Sequence, residues 1–353
     1  MEGVVVVRVG GEIGIKSKPV RRDYEQRLLK CLRERLSEKR VSYSEIWRIA
    51  GRIYIKTEEP VIASRLASKV FGVSSASPGH MATSRLDDIA EAAVMIAKKF
   101  ASGSFAVRCR RIGSHPYTSQ EAAARVGEAI LMVRPDLRVD LDFPNNELFI
   151  EIRDGSAVLY TGAVRGPDGF PLGTQDAVLG IIDETFESVA ASWCLMKRGS
   201  PVMAAVFGLD GIVSEQTEKN LAVLAEWSTG APLRAVAFPC EAPTPLMQFT
   251  LASHYCRTKG LAAVASGMPV PSLGSLSELC RKIEHSAVLF PLAALENQVI
   301  EDWAGLMGID IKSKSRYPEN IDFVGEPEPS AVDAILKKAF EASVREDGSI
   351  LPL

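Results

Sequence analysis

The sequence predicts a multidomain α/β protein in which two small mixed domains precede a domain with a parallel sheet. Its 353 residues exceed what one hydrophobic core of ordinary size holds. Strands and helices of mixed order come first, and regularly alternating strands and helices come last. Two segments rich in Gly, Pro and small residues interrupt the pattern, so we expect linkers at 75–80 (SASPGH) and 166–173 (GPDGFPLG).

The first 75 residues predict a small β-α-β-β-α domain. The apolar run VVVVRV at 4–9 predicts a strand, and apolar residues at helical spacing predict a helix over 19–36. The stretch 44–56 (SEIWRIAGRIYIK) predicts two short strands that meet at Ala50 and Gly51, and a helix follows over 60–70. This order is typical of an antiparallel sheet backed by helices.

Residues 76–168 predict a second α/β domain. The expected helices and strands are helices over 86–100 and 120–133, and strands over 104–110, 138–143, 148–153 and 157–161. Pro144, Asn145 and Asn146 are turn formers, so we expect a hairpin between the strands that flank them.

Residues 174–345 alternate continuous apolar strands with helices. Strands are expected at 178–182, 201–207, 233–238, 261–265 and 287–290, with a further helix at 296–307. Continuous apolar strands of this kind are covered on both faces and form a parallel sheet. Ligands of such sheets bind beyond the carboxyl ends of the strands.

Charge is divided unevenly along a chain whose formal net charge is −3. Residues 1–173 contain 27 Lys and Arg against 21 Asp and Glu, whereas residues 174–353 contain 14 against 23. A basic first half favours a polyanionic partner, because each neutralised phosphate releases counterions. On charge alone, solvated surface faces explain the same clusters equally well. The candidate contacts in KSKPVRR and RCRR are Lys16, Lys18, Arg21, Arg22, Arg108, Arg110 and Arg111.

The composition argues against several other classes of protein. No apolar run is long enough to span a membrane and no signal peptide is recognisable, so we expect a cytoplasmic protein without a membrane partner. The six cysteines have no CxxC pair and the four histidines occur singly, so neither a disulfide framework nor a metal site is expected. Cys240 has no Lys, Arg or His beside it that would lower its pKa, which favours a structural thiol.

A strand, a turn and a helix meet in GIIDETFES, at 180–188. A parallel α/β domain is expected to place a phosphate-binding loop at such a turn, with backbone amides and a cation facing the phosphate. Asp183, Glu184 and Glu187 stand there instead. Because carboxylates repel phosphate, ATP binding in the usual manner is not expected.

Several linked segments resemble the tRNA sulfurtransferases that make 4-thiouridine. GGEIGIKSKPVRRDYEQRLLKCL, IAGRIYIK and VFGVSSASP resemble that family's ferredoxin-like domain, and FAVRCRRIGSHPYTSQEAAARVGEAI and VDLDFPNNELFIEIRDGSAVLYTG resemble its THUMP domain. GFPLGTQDAVLGII and SWCLMKRG resemble the entry to its PP-loop ATPase domain. The resemblance implies a ferredoxin-like domain over 1–75, an RNA-binding THUMP domain over 76–168 and a Rossmann-like PP-loop domain over 174–345. It also implies that the first two domains bind the acceptor end of tRNA.

The chain departs from the family where the chemistry is expected. The family's SGGxDS loop aligns with Asp183, Glu184, Thr185, Phe186, Glu187 and Ser188, so its glycines are replaced. A basic pair is missing from MQFTLASHYC at 247–256, and SGMPVPSLGS at 266–275 replaces the family's TGE-x-LGQ segment. The sulfur-carrying cysteine is missing from RYPENIDFVGEP at 316–327. These four losses imply a degenerate domain that needs no cofactor.

Three hypotheses follow. The first is a non-catalytic tRNA-binding protein, or a partner subunit in tRNA modification, whose acidic C-terminal half forms a homodimer surface or recruits another protein. The second is a divergent but active sulfurtransferase that uses Glu187, Ser188, ATP and Mg²⁺ in an altered loop. The third is a sulfur-handling role in thiamine biosynthesis, against which the missing cysteine counts.

Overall fold

The computed structural model describes residues 2–49, 51–209, 212–240, 243–268, 273–283, 286–309, 323 and 327–353. Contacts divide the chain into two compact units, Met1–Asp168 and Gly169–Leu353. Several sequence features of interest lie outside the described residues: part of SGMPVPSLGS, His285 and most of RYPENIDFVGEP. No helix in the described ranges is both long and apolar enough to cross a bilayer.

The first unit is built on a nine-stranded sheet with the order β2-β3-β1-β4-β8-β7-β5-β6, and β9 pairs with β4 off this path. Its elements are β1 (Glu2–Val9), α1 (Gly11–Gly14), α2 (Lys18–Glu38), β2 (Glu45–Ile49), β3 (Arg52–Lys56), α3 (Pro60–Ala67), β4 (Val73–Thr83), α4 (Leu86–Ala97), β5 (Gly103–Ile112), α5 (Ser119–Val133), β6 (Leu137–Val139), β7 (Asn146–Arg153), β8 (Ser156–Tyr160) and β9 (Val164–Arg165). Most of these elements were predicted; α1, β4 and β9 were not.

Alternation along the strands divides the side chains of this sheet between two faces. On the first face, helices α2 and α3 pack against one set of buried residues that includes Val5 and Ile53, and α4 and α5 pack against another that includes Ile150. The intervening residues form a separate buried cluster, which defines the second face: Val4, Val6, Tyr54, Val158 and Tyr160.

The segment 75–80, predicted as a linker, is part of the eleven-residue strand β4, so that prediction is wrong. β4 pairs antiparallel with β1 on one side and with β8 on the other, and it therefore makes the sheet continuous. Gly79 serves close packing rather than a turn, because a Cβ there would meet the carbonyl oxygen of Leu159 at 2.6 Å. Small residues signal tight strand packing as well as loops, and the first of these applies here.

The strand predicted over 138–143 is also shorter than expected, and no hairpin occurs at Pro144 to Asn146. β6 and β7 both run parallel to β5, so a tight turn does not join them. Asn145 instead accepts hydrogen bonds from the backbone N–H and the hydroxyl of Ser104, both at 2.9 Å. The hairpin that does occur joins β7 to β8 at Asp154, whose φ is 47°.

The second unit is built on a seven-stranded sheet with the order β14-β13-β10-β11-β12-β15-β16. Its elements are β10 (Val178–Ile181), α6 (Phe186–Lys197), β11 (Val202–Gly208), α7 (Glu215–Trp227), β12 (Arg234–Pro239), α8 (Pro245–Lys259), β13 (Ala263–Ala265), α9 (Leu273–Lys282), β14 (Ala287–Leu289), α10 (Asn297–Met307), α11 (Pro329–Lys338), β15 (Phe340–Val344) and β16 (Ile350–Pro352). The first five strands of that order are parallel, which confirms the predicted Rossmann-like sheet. The antiparallel pair β15 and β16 was not predicted, because FEASV and ILP are short and weakly patterned.

Tryptophans form part of the core of the second unit. Trp193 on α6 is fully buried and meets the ring of Trp227 edge-on at 5.5 Å. Its ring also lies 5.4 Å from that of Trp303 on α10. These contacts fix α6, and therefore the turn that precedes it, against α7 and α10.

Candidate functional site

A cavity of about 860 Å³ opens on the first unit, between strands of the sheet and helix α5. Its charged lining consists of Arg8, Arg52, Arg108, Arg110, Glu128 and Glu151. Its apolar lining includes Phe105, Val107, Leu131, Val139, Leu141 and Phe149. The cavity therefore combines an excess of guanidinium groups with an apolar wall.

Two of the predicted RNA contacts lie at this cavity and a third does not. Arg108 and Arg110 alternate on β5 opposite Phe149 and Glu151 of β7, which places both on the second face. Arg108 is held by Glu147 at 3.0 Å, whereas Arg110 is exposed. Arg111 pairs with Ile152 of the core below α4 and α5, so it lies on the first face.

The predicted contacts of KSKPVRR lie elsewhere on the first unit. Lys16, Lys18 and Arg22 are exposed, and the last two line a shallow surface pocket at the start of α2. The Nε atom of Arg21 donates to the buried carboxylate of Glu25 at 2.9 Å, and Arg48 pairs with the same carboxylate. Arg21 therefore forms an internal ion pair in addition to any contact it makes outside the chain.

A charged cluster that the sequence did not suggest is centred on Glu151, and all of its members except Arg153 line the cavity. We call Arg8, Arg52, Arg153, Tyr160 and Glu151 the Glu151 cluster. The carboxylate of Glu151 is only 6% exposed and accepts a hydrogen bond from the hydroxyl of Tyr160 at 2.9 Å. The distances from its oxygens to guanidinium nitrogens are 3.6 Å to Arg8, 3.5 Å to Arg52 and 3.4 Å to Arg153.

The charges of this cluster do not balance. Burial alone would raise the pKa of Glu151, but Arg52, the hydrogen bond from Tyr160, Arg8 and Arg153 together hold that pKa below its ordinary value. Glu151 is therefore ionised at neutral pH and supplies one negative charge against three guanidinium groups. The cluster keeps an excess of positive charge beside the cavity.

Aromatic rings accompany this charge on the second face. The rings of Phe149 and Tyr160 are stacked with centroids 5.4 Å apart, and the guanidinium of Arg8 lies 4.8 Å above the centre of Tyr160. Guanidinium groups bind phosphate, and apolar or aromatic surfaces accept the faces of bases. Arginine side chains beside apolar and aromatic surface suit the phosphates and bases of nucleic acid.

The turn that precedes α6 in the second unit is satisfied by its own side chains. The carboxylate of Asp183 accepts from the backbone N–H of Thr185 at 2.8 Å, and the Thr185 hydroxyl accepts from the N–H of Ser188 at 3.3 Å. The N–H of Asp183 donates to the Ser188 hydroxyl at 3.3 Å. The amide of Asn220 bridges the carbonyl oxygens of Asp183 and Thr185 at 2.7 and 3.1 Å.

Backbone also lies close against this turn. A Cβ on Gly267 would stand 2.3 Å from the carbonyl carbon of Glu187 and 2.4 Å from the nitrogen of Ser188. Gly267 therefore packs directly on the first turn of α6. Phe186, Thr185 and Ser188 are buried, so the first residues of α6 belong to the packed interior.

Four of the cysteine thiols, two of them buried and two partly buried, do not resemble nucleophiles. Burial raises the pKa of Cys31 and of Cys109 to about 11 and that of Cys256 to about 12. Burial also raises the pKa of Cys240, which agrees with the structural role predicted for it. A thiol with a raised pKa is protonated at neutral pH and is a poor nucleophile.

Comparison with protein families identifies two domains in the first unit. The ThiI ferredoxin-like domain matches residues 4–77, and the THUMP domain matches residues 83–161. The tRNA sulfurtransferase of Pyrobaculum aerophilum is 37% identical over 240 residues, which is 67% of this chain and 48% of that protein. The probable tRNA sulfurtransferase of Saccharolobus solfataricus is 35% identical over 234 residues, or 65% of this chain and 61% of that protein.

Two solved structures share the fold. PH1313 from Pyrococcus horikoshii is 29% identical, with a TM-score of 0.73 over 88% of this chain and 100% of that one. A 4-thiouridine synthetase, solved as an RNA complex with bound ATP, is 22% identical, with a TM-score of 0.74 over 96% of this chain and 95% of that one. At this identity the second match establishes the fold alone.

Fold and domains together define the class: a ferredoxin-like domain and a THUMP domain followed by a Rossmann-like α/β domain. The chain is a homologue of the tRNA sulfurtransferases and carries the ThiI ferredoxin-like and THUMP domains. It spans 48% and 61% of the length of the two curated relatives named above.

Proposed function

We propose that this protein binds the acceptor end of tRNA through its first unit, and that its second unit is a scaffold without ATP or sulfur chemistry. The observation that carries the proposal is the cavity of the first unit, where Arg8, Arg52, Arg108 and Arg110 line one space with an apolar wall. Arginines and apolar surface at one site suit the phosphates and unstacked bases of an RNA end.

The residues of the turn at 183–188 do not fit a triphosphate. A phosphate-binding turn offers backbone amides that have no other acceptor, and the amides of Asp183, Thr185 and Ser188 each have one inside the turn. The carboxylates of Asp183, Glu184 and Glu187 would also repel the ligand, and Gly267 lies against the first turn of α6. These features support the absence of ATP chemistry at this turn.

The experiment that tests the proposal measures two activities on one preparation. We expect tRNA gel shifts to show binding that weakens steeply with salt, because phosphate contacts release counterions. We expect no exchange of pyrophosphate into ATP. Robust exchange would contradict the scaffold role, and weak binding without salt dependence would contradict the RNA role.

A second candidate function is an active, divergent tRNA sulfurtransferase, and the curated relatives favour it, since both carry that name. Under this hypothesis ATP and Mg²⁺ would bind an altered loop around Glu187 and Ser188. Mass spectrometry of tRNA nucleosides from a deletion strain separates the two functions. If the deletion strain lacks 4-thiouridine, the protein is either the enzyme or an essential subunit. If a gene that encodes Ser188→Ala then restores 4-thiouridine in that strain, the result supports the scaffold.

The acidic second half is proposed to contact protein rather than RNA. Residues 174–353 contain 14 Lys and Arg against 23 Asp and Glu, which disfavours a polyanion. A second copy of this chain or a partner in tRNA modification would both suit such a surface. Light scattering of the purified protein distinguishes a homodimer, by a doubled mass, from a monomer that needs another protein.

A further inference from the structure

We propose that the Glu151 cluster is a phosphate-binding site shared by the ferredoxin-like and THUMP domains, and that its ligand is a phosphate group of the bound RNA. This inference rests on the proposed tRNA binding and deepens it. Arg8 and Arg52 come from the segment that matches the ferredoxin-like domain, and Glu151, Arg153 and Tyr160 come from the segment that matches THUMP.

The register of the sheet places like charges directly opposite each other. Arg8 of β1 pairs with Arg52 of β3, and directly opposed like charges destabilise an antiparallel pair. Glu151 on β7 supplies a counter-charge to both guanidinium groups, at 3.6 and 3.5 Å. A single carboxylate cannot neutralise both of them, and it is also shared with Arg153.

The cluster has hydrogen-bond donors to spare. Within the part of the chain that the structure describes, Nε and Nη1 of Arg153 are buried and have no hydrogen-bond acceptor, and the side chain is 7% exposed. The buried Nε of Arg52 likewise lacks a hydrogen-bond acceptor and lies 3.5 Å from Glu151, a distance typical of a loose ion pair. Buried donors without an acceptor are rare in folded proteins, and of these two side chains Arg52 lines the cavity, where an acceptor can reach its guanidinium group.

An RNA phosphate suits both the charge and the geometry. It brings a negative charge and several acceptor oxygens, and guanidinium groups bind it with paired hydrogen bonds. Arg110 extends the positive charge, because it lies opposite Glu151 on β5 and is exposed. Phe149, which lines the cavity on the same face as the cluster, offers an apolar surface for the nucleoside attached to that phosphate.

Glu151 has a positioning role in this site. It fixes the guanidinium groups of Arg8 and Arg52 before the ligand arrives, and Tyr160 fixes Glu151 through a hydrogen bond of 2.9 Å. Arg8 is held further by the hydroxyls of Ser75 and Ser77, at 3.2 and 2.9 Å. Donors held in this way lose little conformational entropy on binding.

The first test compares Arg8→Gln and Arg52→Gln with the matched control Arg125→Gln in the full chain. Arg125 lies on α5 outside the cavity and pairs with Asp87 at 3.4 Å. We expect each cluster variant to weaken tRNA binding roughly tenfold at low salt. We also expect each to reduce the slope of log K against log salt by about 0.7 to 0.9, the value for one phosphate. The control is expected to leave both quantities unchanged.

The second test uses inorganic phosphate as the probe and Arg52→Gln as the variant. Arg52 lines the cavity and belongs to the cluster, so phosphate is expected to raise the unfolding temperature of the wild type more than that of Arg52→Gln, at constant ionic strength. Chloride at the same ionic strength gives the reference. An equal shift in both proteins would contradict the site.

The outcomes distinguish this inference from the proposed function. If the wild type binds tRNA and both cluster variants behave like Arg125→Gln, the phosphate site is wrong and tRNA binding stands. If the wild type does not bind tRNA, the proposed function fails. If phosphate in that case still stabilises the wild type and not Arg52→Gln, the result would show an anion site whose ligand is not RNA. It would overturn the inference as stated.

Discussion

The second face of the first unit and the turn before α6 in the second unit differ in how they use their hydrogen-bond donors. In the turn, side chains of the chain itself accept from the amides of Asp183, Thr185 and Ser188. In the Glu151 cluster, one carboxylate faces three guanidinium groups, and buried donors of Arg153 have no acceptor within the described residues. The proposed phosphate site rests on this difference: three guanidinium groups share one carboxylate, and some of their donors have no acceptor within the described residues.

The largest expected effect is on the stability of the first unit. Glu151→Gln removes a buried charge that three arginines share, and breaking a buried ion pair from one side costs about 3 kcal/mol. We expect the free energy of unfolding, measured with urea in the absence of phosphate, to fall by about that amount. Glu147→Gln is the control, because Glu147 is 38% exposed and its ion pair with Arg108 is worth about 1 kcal/mol or less. Equal losses in the two variants would contradict the counter-charge role of Glu151.

The next effect concerns RNA binding along β5, where neighbouring arginines face opposite sides of the sheet. Arg110→Gln is expected to weaken tRNA binding roughly tenfold, because Arg110 is exposed and lies at the cavity. Arg111→Gln is the matched control, since Arg111 pairs with Ile152 on the first face and is expected to leave the affinity unchanged. Gel shifts at fixed salt measure both variants. A larger loss of affinity with Arg111→Gln than with Arg110→Gln would indicate that the RNA contacts the first face, which would contradict this account.

The pH dependence of stability follows from the lowered pKa of Glu151. A carboxyl group whose pKa is lower in the folded state contributes stability that is fully present above its unfolded value of about 4.3 and is lost as pH falls through the folded value. The difference in unfolding free energy between the wild type and Glu151→Gln is therefore expected to shrink below about pH 4. Urea unfolding from pH 7 to pH 3 measures it. A difference that grows with acidity would contradict the assignment.

The smallest effect tests the turn of the second unit. Thr185 is the N-cap of α6, and Thr185→Ala is expected to lower the free energy of unfolding by about 1 kcal/mol. The affinity for tRNA is expected to stay the same, because the turn has no part in RNA binding here. Thr118→Ala is the matched variant for the free energy of unfolding, since Thr118 caps α5 of the first unit within a capping box. A loss of tRNA affinity with Thr185→Ala would give the turn a role that this account denies it.

Features formed by residues that are neighbours in the sequence could be predicted, whereas a site that depends on the pairing of distant strands could not. The turn at 183–188 was identified because its strand, carboxylates and helix are contiguous, and the main helices and strands were identified from periodicity. The Glu151 cluster was missed because Arg8, Arg52 and Glu151 lie on three strands, and only the pairing of the sheet brings them together. A charged residue inside an apolar strand, as in VVVVRV, was the available signal. The segment 75–80 was misread because Gly79 permits close packing in a strand as readily as it permits a turn.

Amide hydrogen exchange of the full chain, with tRNA and separately with ATP and Mg²⁺, tests the central claim most directly. The account predicts that tRNA protects amides of β5, β7 and the strand around Arg8, and that ATP leaves the amides of 183–188 unchanged. Protection of 183–188 by ATP, without protection of the second face by tRNA, would contradict it.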